Sequence, residues 1–376
     1  MRKIAVFVLL AALLAFAAGA EEYTYHSDEL GESAALNGWD RLTESLPDGL
    51  REDFGDYDLL SAADSVREKT DIKYWLRIAW DVLRSAAREA LPDIKLLVSV
   101  IILTAGAKAV LPDMSAGVSE AFLTLARTAA AVVLMTSTYR ALEGAQQYLS
   151  EICSLMNLLT PVMDVLYLAE GALTEAAVST GGVMLAVTVI GNINTAVMAP
   201  VTSVLFTLSA VTSVCGDVSL GGFTSSVRKL LLRMWQILTL VFSFMIGTQS
   251  VIARSADTLA SRTARFAIGS MIPVAGGIIA EAYNTLKEGV AYLRTASGIG
   301  GIILIILILA RGAIPLIVYK AAFGITSYGA GMLRLETTSK LLDEIKGVID
   351  LMLAIVLYTS MMFVFALVLF AKSRGG

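Results

Sequence analysis

GIGGIILIILILARGAIPLIVYK, residues 298–320, is the stretch that decides the fold class. It is almost entirely apolar, and its length matches the roughly 20 residues that an α-helix needs to cross the hydrocarbon core of a bilayer. A second run, VIDLMLAIVLYTSMMFVFALVLFA at 348–371, has the same character. Two such runs near the end of one chain predict an α-helical membrane protein.

The composition of the whole chain extends this prediction. Of its 376 residues, 56% are hydrophobic and only 16% are charged, and the mean hydropathy is +0.71. An average soluble domain is about 25% charged, and one or two soluble cores could not bury so much apolar surface. We therefore predict an all-α, polytopic transmembrane helical bundle. Its other spanning candidates are 94–111, 119–139, 152–169, 178–198, 199–215 and 231–252.

A further apolar stretch, 266–282, is interrupted by Pro273 and by Gly269, Gly276 and Gly277. Both residue types disturb a helix, and lipid tolerates the freed backbone groups only where protein or water covers them. The stretch is therefore predicted to be a re-entrant segment or a kinked span.

The N-terminal region has two parts. Residues 1–20 have the pattern of a signal peptide, with Arg2 and Lys3 before an apolar run that ends in Ala18-Gly19-Ala20. An uncleaved first transmembrane helix is the alternative. Residues 21–71 contain 15 acidic and 4 basic side chains, which predicts an acidic extracytoplasmic segment.

Residues 72–91 place apolar side chains at three- and four-residue spacing, and Tyr74, Trp75 and Trp80 are of the types that settle at the headgroup boundary. This pattern predicts an amphipathic interfacial helix that ends at Leu91-Pro92. The polytopic membrane domain then occupies residues 92–376. An outer N-terminus and an inner C-terminus, the latter indicated by Lys372 and Arg374, require an odd number of crossings, and we expect about seven.

The inventory of reactive residues argues against an enzyme. The chain has one His and two Cys, and it contains no phosphate-binding loop, zinc-protease motif or nucleophile elbow. We predict a non-enzymatic protein with no catalytic residues, no metal and no cofactor, and with no nucleic-acid partner. Any ATP hydrolysis would have to come from another chain.

Charged residues inside the apolar body are informative because a charge at mid-membrane costs at least ~2.5 kcal/mol. For Lys108, Glu170, Glu175 and Asp217, snorkelling of the side chain to the interface is the favoured explanation. Arg127, Asp164 and Glu281 are harder to explain in this way. These three are candidates for a hydrated path or for ion pairs between helices.

One block of the chain resembles a known family. The stretch Arg262-Thr263-Ala264-Arg265-Phe266-Ala267-Ile268-Gly269-Ser270-Met271-Ile272-Pro273-Val274-Ala275-Gly276-Gly277, continuing through Glu281 to Gly298, Gly300 and Gly301, is similar to the most distinctive part of the stage III sporulation protein AE family. The overall plan of signal peptide, acidic head and polytopic body resembles that family as well.

The resemblance implies a subunit of the channel complex that endospore-forming bacteria build between mother cell and forespore. Its location would be the mother-cell membrane around the forespore. Its partners would be a secretion-type ATPase supplied by another chain and other membrane and ring-forming subunits, in a homo- or hetero-oligomer. From the family, the block Arg262 to Gly301 carries over only as a signature. Its Gly/Pro-broken segment is, from the residues themselves, suited to a gate or to tight helix packing.

Two other functions remain open from the sequence alone. A self-contained secondary transporter of small molecules would need its own site near mid-membrane, for example at Asp164 or Glu281. A purely structural membrane scaffold would need only surfaces that bind partners.

Overall fold

A computed structural model describes residues 72–110, 116–215, 221–271 and 276–372 of the protein. The signal peptide and the acidic segment predicted for residues 1–71 lie outside these ranges. The described residues form seven α-helices and one π-helical turn. They are α1 Ile72–Val110, α2 Ala116–Ala169, α3 Leu173–Ile193, the π-turn Asn194–Met198, α4 Ala199–Cys215, α5 Gly221–Met271, α6 Gly276–Met332 and α7 Glu336–Ala371.

The two apolar runs that decided the fold class form an antiparallel hairpin of α6 and α7. Lys320 of α6 pairs with Asp350 of α7, with Nζ and Oδ1 2.5 Å apart. Near the turn, Ser327 and Ser339 exchange hydrogen bonds between the same two helices. The predicted all-α helical bundle is therefore confirmed, and this hairpin runs through its core.

α2 and α3 form a second hairpin, whose turn depends on a glycine. Gly171 has φ of 72°, a left-handed conformation that glycine adopts at little cost. Its N–H donates to the carbonyl of Leu168, and the Ala172 N–H donates to that of Tyr167. This is the Schellman pattern, which satisfies the last carbonyls of a helix and reverses the chain within a few residues.

α5 runs parallel to α7 along the other side of the bundle. Near its beginning, Arg228 pairs with Glu344 at 2.8 Å, and further along Trp235 donates to Thr359. Beyond these contacts, the Arg254 side chain donates to the carbonyl of Leu369. Arg228 and Arg254 of α5 therefore lie at opposite ends of the bundle.

The expected end of a helix at Leu91-Pro92 is wrong. α1 continues through Pro92 to Val110 as one helix of 39 residues. Ala86 and Ala90 near the end of the amphipathic half are buried, whereas Trp80 and Leu83 are exposed, so the interfacial position of this half stays a prediction.

Other predicted spans are also joined. The candidates at 119–139 and 152–169 form the single 54-residue helix α2, which at 1.5 Å per residue is about 80 Å long. Those at 178–198 and 199–215 continue into each other through the π-turn. Six helices in the described ranges are long and apolar enough to cross a membrane. The number of seven crossings stays a prediction.

Glycines allow α6 to approach its neighbours closely. A Cβ added at Gly312 would come within 2.6 Å of Cγ of Tyr148 on α2, and one at Gly298 would come within 2.6 Å of the Ala371 Cβ on α7. Nothing lies within 4 Å of the same position at Gly324, on the same helix. Because close packing is a main source of helix association in lipid, Gly312 and Gly298 belong to the interfaces that hold the bundle together.

We expect Gly312→Ala to destabilise the bundle by about 1–3 kcal/mol, because the buried ring of Tyr148 would have to move. Gly324→Ala is the matched control and should be neutral or slightly stabilising, by up to about 1 kcal/mol, because alanine favours the helix. Thermal unfolding of both variants in mild detergent measures the difference. Equal unfolding temperatures would contradict the close approach of α6 and α2.

Candidate functional site

Five charged side chains converge where the α2–α3 turn meets the end of α7. The first pair is Glu170 with Arg294, whose Oε2 and Nη1 atoms are 2.7 Å apart. Both side chains are almost fully buried, with exposed fractions of 1% and 0%. The guanidinium also lies over the ring of Tyr167, 5.6 Å from its centroid.

The second pair is Glu175 with Arg254, joined by an Oε1 to Nε distance of 2.7 Å. Glu175 is completely buried, and Arg254 is about one-fifth exposed. Together the two pairs connect the α2–α3 turn, α3, α5 and α6 at one level of the bundle.

The two arginines also satisfy the last carbonyls of α7. Arg254 donates to Leu369 O, and Arg294 donates to Lys372 O at 2.9 Å. The end of a helix leaves carbonyl groups without an intrahelical partner and carries a partial negative charge. Two cations at this position satisfy both requirements.

Asp257 caps the beginning of α3. Its carboxylate accepts the backbone N–H groups of Thr174 at 3.1 Å and Glu175 at 2.8 Å. A helix N-terminus presents free N–H groups and a partial positive charge, so a carboxylate from a neighbouring helix can serve as its cap. We call Glu170, Glu175, Arg254, Asp257 and Arg294 the charged cluster.

Burial of this cluster corrects one interpretation from the sequence. Snorkelling was the favoured explanation for Glu170 and Glu175, but both carboxylates are buried and paired with arginines. Lys108, by contrast, is exposed and donates to the carbonyl of Arg334 at 2.7 Å. These pairs were missed in the sequence because Arg254 and Arg294 lie just outside the predicted spans 231–252 and 298–320.

A signal for Arg294 was present in the sequence. Gly298 and Gly301 follow it by four and seven residues, so all three lie on one face of α6. That face packs on the end of α7, where Gly298 meets Ala371 and Gly301 meets Leu367. An arginine in line with two packing glycines predicts a buried cation, and its partner must then come from another helix.

The predicted site residues fall into three groups. Gly298, Gly300 and Gly301 are buried in α6 beside the charged cluster. Asp164 is partly buried and accepts a hydrogen bond from the Thr180 hydroxyl on α3. The rest lie in α2, at the end of α5 or at the start of α6, but their side chains are outside the described part of the chain, and Pro273 is outside it altogether. These are Arg127, Arg262, Arg265, Gly269, Gly276, Gly277 and Glu281.

The chemistry of the charged cluster is that of a structural joint. Its carboxylates are engaged by guanidinium groups or by backbone N–H groups, and it contains no thiol or imidazole. Within the described ranges, no group of three His, Cys, Asp or Glu side chains could hold a metal ion. The cluster can therefore fix three helix ends, and it is adjacent to the block Arg262 to Gly301.

We expect Arg294→Met to destabilise the protein by about 3–5 kcal/mol, because Glu170 would be left as an uncompensated buried charge. Arg140→Met is the matched control. Arg140 pairs with Asp93 at 3.4 Å and is 58% exposed, so its loss should cost less than about 1 kcal/mol. Unfolding in mild detergent compares the two variants. Similar losses would show that Glu170 and Arg294 do not form a buried pair.

Comparison with known proteins agrees with the resemblance drawn from the block Arg262 to Gly301. The family model described as Stage III sporulation protein AE (spore_III_AE) matches residues 60–373. A curated relative, Stage III sporulation protein AE of Bacillus subtilis (strain 168), is 23% identical over 259 residues. The alignment covers 67% of this chain and 64% of that relative, slightly less than two thirds of its length. No solved structure matches the chain. With the family model matching more than half of its length, this integral membrane chain belongs to the stage III sporulation protein AE family.

Proposed function

We propose that this chain is a non-enzymatic membrane subunit of a secretion-like channel complex that links mother cell and forespore during endospore formation. It would lie in the mother-cell membrane around the forespore, with its N-terminus extracytoplasmic. Its partners would be other membrane and ring-forming subunits and an ATPase supplied by another chain. The observation that carries the proposal is the family match over residues 60–373, which includes the whole helical bundle.

The internal pairing of charges supports a subunit more than a self-contained transporter. A transporter that couples flux to ions needs intramembrane groups that exchange partners during the cycle. In the charged cluster, Glu170 and Glu175 pair with two arginines that also bind the last carbonyls of α7. Asp164, a candidate for a transporter site, is hydrogen-bonded to Thr180. These contacts favour a fixed framework.

The block Arg262 to Gly301 would be the part of this framework that acts as a gate. α5 extends past Asp257 to Met271, and α6 begins at Gly276 and reaches the charged cluster at Arg294. The cluster thus holds the base from which both helices extend. Helix ends and uncovered backbone offer polar groups to a passing solute, as in other membrane passages.

The channel role predicts loss of solute exchange in cells that lack the protein. A small fluorescent solute released in the mother cell should enter the engulfed forespore of the parent strain, and the signal should be lost in the deletion strain. Gly298→Leu should reproduce the loss, because its side chain would collide with the Ala371 backbone. Gly324→Leu, at a position where an added Cβ would meet no atom within 4 Å, should restore exchange.

Quantitative fluorescence of individual forespores is the readout, and immunoblots must show equal amounts of each variant in the membrane. Normal exchange in the deletion strain would contradict the channel role. Substrate-coupled flux in liposomes that contain only this chain would instead support the transporter, particularly if Asp164→Ala abolished it.

A further inference from the structure

One exposed face of α2 is polar over a length that matches the membrane. Between residues 140 and 164, no exposed residue of this helix carries an apolar side chain apart from proline. The main series recurs with alternating spacings of four and three residues, so it forms one stripe along the helix. We call this stripe the polar face, and its members are Glu143, Gln147, Ser150, Ser154, Asn157 and the partly buried Asp164, with Pro161 between the last two.

Contacts with α6 place the polar face at membrane depth. Tyr148 packs against Gly312, Leu159 packs against Gly301, and Glu170 pairs with Arg294. Residues 140–164 of α2 therefore lie beside 298–320 of α6, the most apolar run of the chain. At 1.5 Å per residue the polar face, from Glu143 to Asp164, is about 32 Å long, and the hydrocarbon core is about 30 Å thick.

α5 provides a comparison at the same depth. Its exposed residues between 234 and 252 are all apolar, and Leu240 and Phe244 are 70% and 71% exposed. Such a surface is what a helix presents to lipid. The contrast shows that the two sides of this bundle are made for different surroundings.

Contact with lipid would be energetically unfavourable for the polar face. A charged side chain at the centre of the bilayer costs at least ~2.5 kcal/mol, and Glu151, beside the polar face, lies level with the middle of 298–320 on α6. Gln147 donates to Glu151 on the border of the face at 2.8 Å, so the amide and carboxylate bind each other along the helix surface. Intramembrane polar residues of this kind ordinarily face a bundle interior or a water-filled cavity.

The adjoining surface of α3 and α4 continues the polar face. A groove of about 230 Å³ lies between α2 and α4; it is lined by Glu143 and Gln146 with Pro200 and Ser203, and also by Tyr139 and Leu142. The exposed residues that lead to this groove from the second half of α3 and through the π-turn are Thr188, Asn192 and Ala196, whereas Met184 and Leu185, one turn earlier, are exposed and apolar. The π-turn Asn194–Met198 lies in this stretch, and such interruptions are frequent at functional sites.

We propose that the polar face of α2, with the adjoining surface of α3 and α4, lines a water-filled passage whose other walls are further copies of this chain. The occupants of the passage are water and small hydrophilic solutes. This inference deepens the proposed channel function and rests on it, because it assigns the lining to particular helices.

Copies of the chain are suitable for the remaining walls because they share one orientation in the membrane. Each copy presents its polar face at the same depth, so several copies can surround a common axis with this face inward. The apolar surface of α5 then remains in contact with lipid. No other component has to supply a matching polar surface.

Thiol labelling tests the passage in membranes of sporulating cells that produce the full chain with Cys153 and Cys215 replaced by Ala. Ser150→Cys, Ser154→Cys and Asn157→Cys each place a thiol on the polar face, and Ile237→Cys and Leu240→Cys are lipid-facing controls on α5. A charged, membrane-impermeant thiol reagent should label the polar-face positions more than about tenfold faster, because mid-membrane lies ~15 Å from bulk water. A bifunctional thiol reagent should also join two Ser154→Cys chains into a covalent dimer.

Absence of labelling at all three polar-face positions would overturn the passage and would show that a helix covers the stripe in a dry seam. Equal labelling of the α5 controls would overturn it as well, because the depth assignment would then be wrong. Labelling without covalent dimers at any spacer length would overturn the part assigned to further copies. Solute entry into forespores is scored separately, so the channel role can stand if the lining fails.

Discussion

A charge at membrane depth must have a partner within the protein or contact with water, and the organisation of this bundle follows from that constraint. The charged cluster meets it with partners: Arg294 binds Glu170, Arg254 binds Glu175, and both arginines satisfy carbonyls at the end of α7. Breaking such a pair is costly because a buried ion remains, so the cluster fixes where α2, α3, α5, α6 and α7 meet. The polar face of α2 would meet the same constraint by contact with water, because its side chains lie on the surface.

The sequence was sufficient to predict the fold class, since residues 298–320 and 348–371 are too long and too apolar for other surroundings. It was not sufficient to predict where the helices end. Pro92, Pro161 and Pro315 all lie inside helices. A proline breaks an isolated helix, but neighbouring helices and side chains can compensate for the missing hydrogen bond in a membrane bundle. Within α2 it was the polar stretch 140–151, and not a proline, that separated two predicted spans which the structure joins.

The charged cluster was harder to predict for a related reason. Glu170 and Arg294 are 124 residues apart, and nothing in either local stretch identifies the other as its partner. Each residue alone is compatible with snorkelling from a helix end. The glycines that follow Arg294 are the local signal, because they mark the buried face of α6. Of the predicted signature, Gly298 and Gly301 have described contacts, and both pack on α7.

The two surfaces of the bundle connect this architecture with function. The apolar exposed side of α5 suits lipid, and the polar side of α2, α3 and α4 suits an assembly that excludes lipid. A family that acts in sporulation, a rigid joint at the base of the block Arg262 to Gly301, and a polar surface of membrane length are all compatible with a subunit that works among others.

The most direct test of the account is a double-mutant cycle on the buried pair in the intact protein. The free energy of unfolding in mild detergent would be measured for the parent, for Glu170→Gln, for Arg294→Met and for the double variant. If the two side chains neutralise each other inside the bundle, the effects will be coupled by at least about 1.5 kcal/mol. Effects that add to within about 0.5 kcal/mol would contradict the pairing on which this account depends.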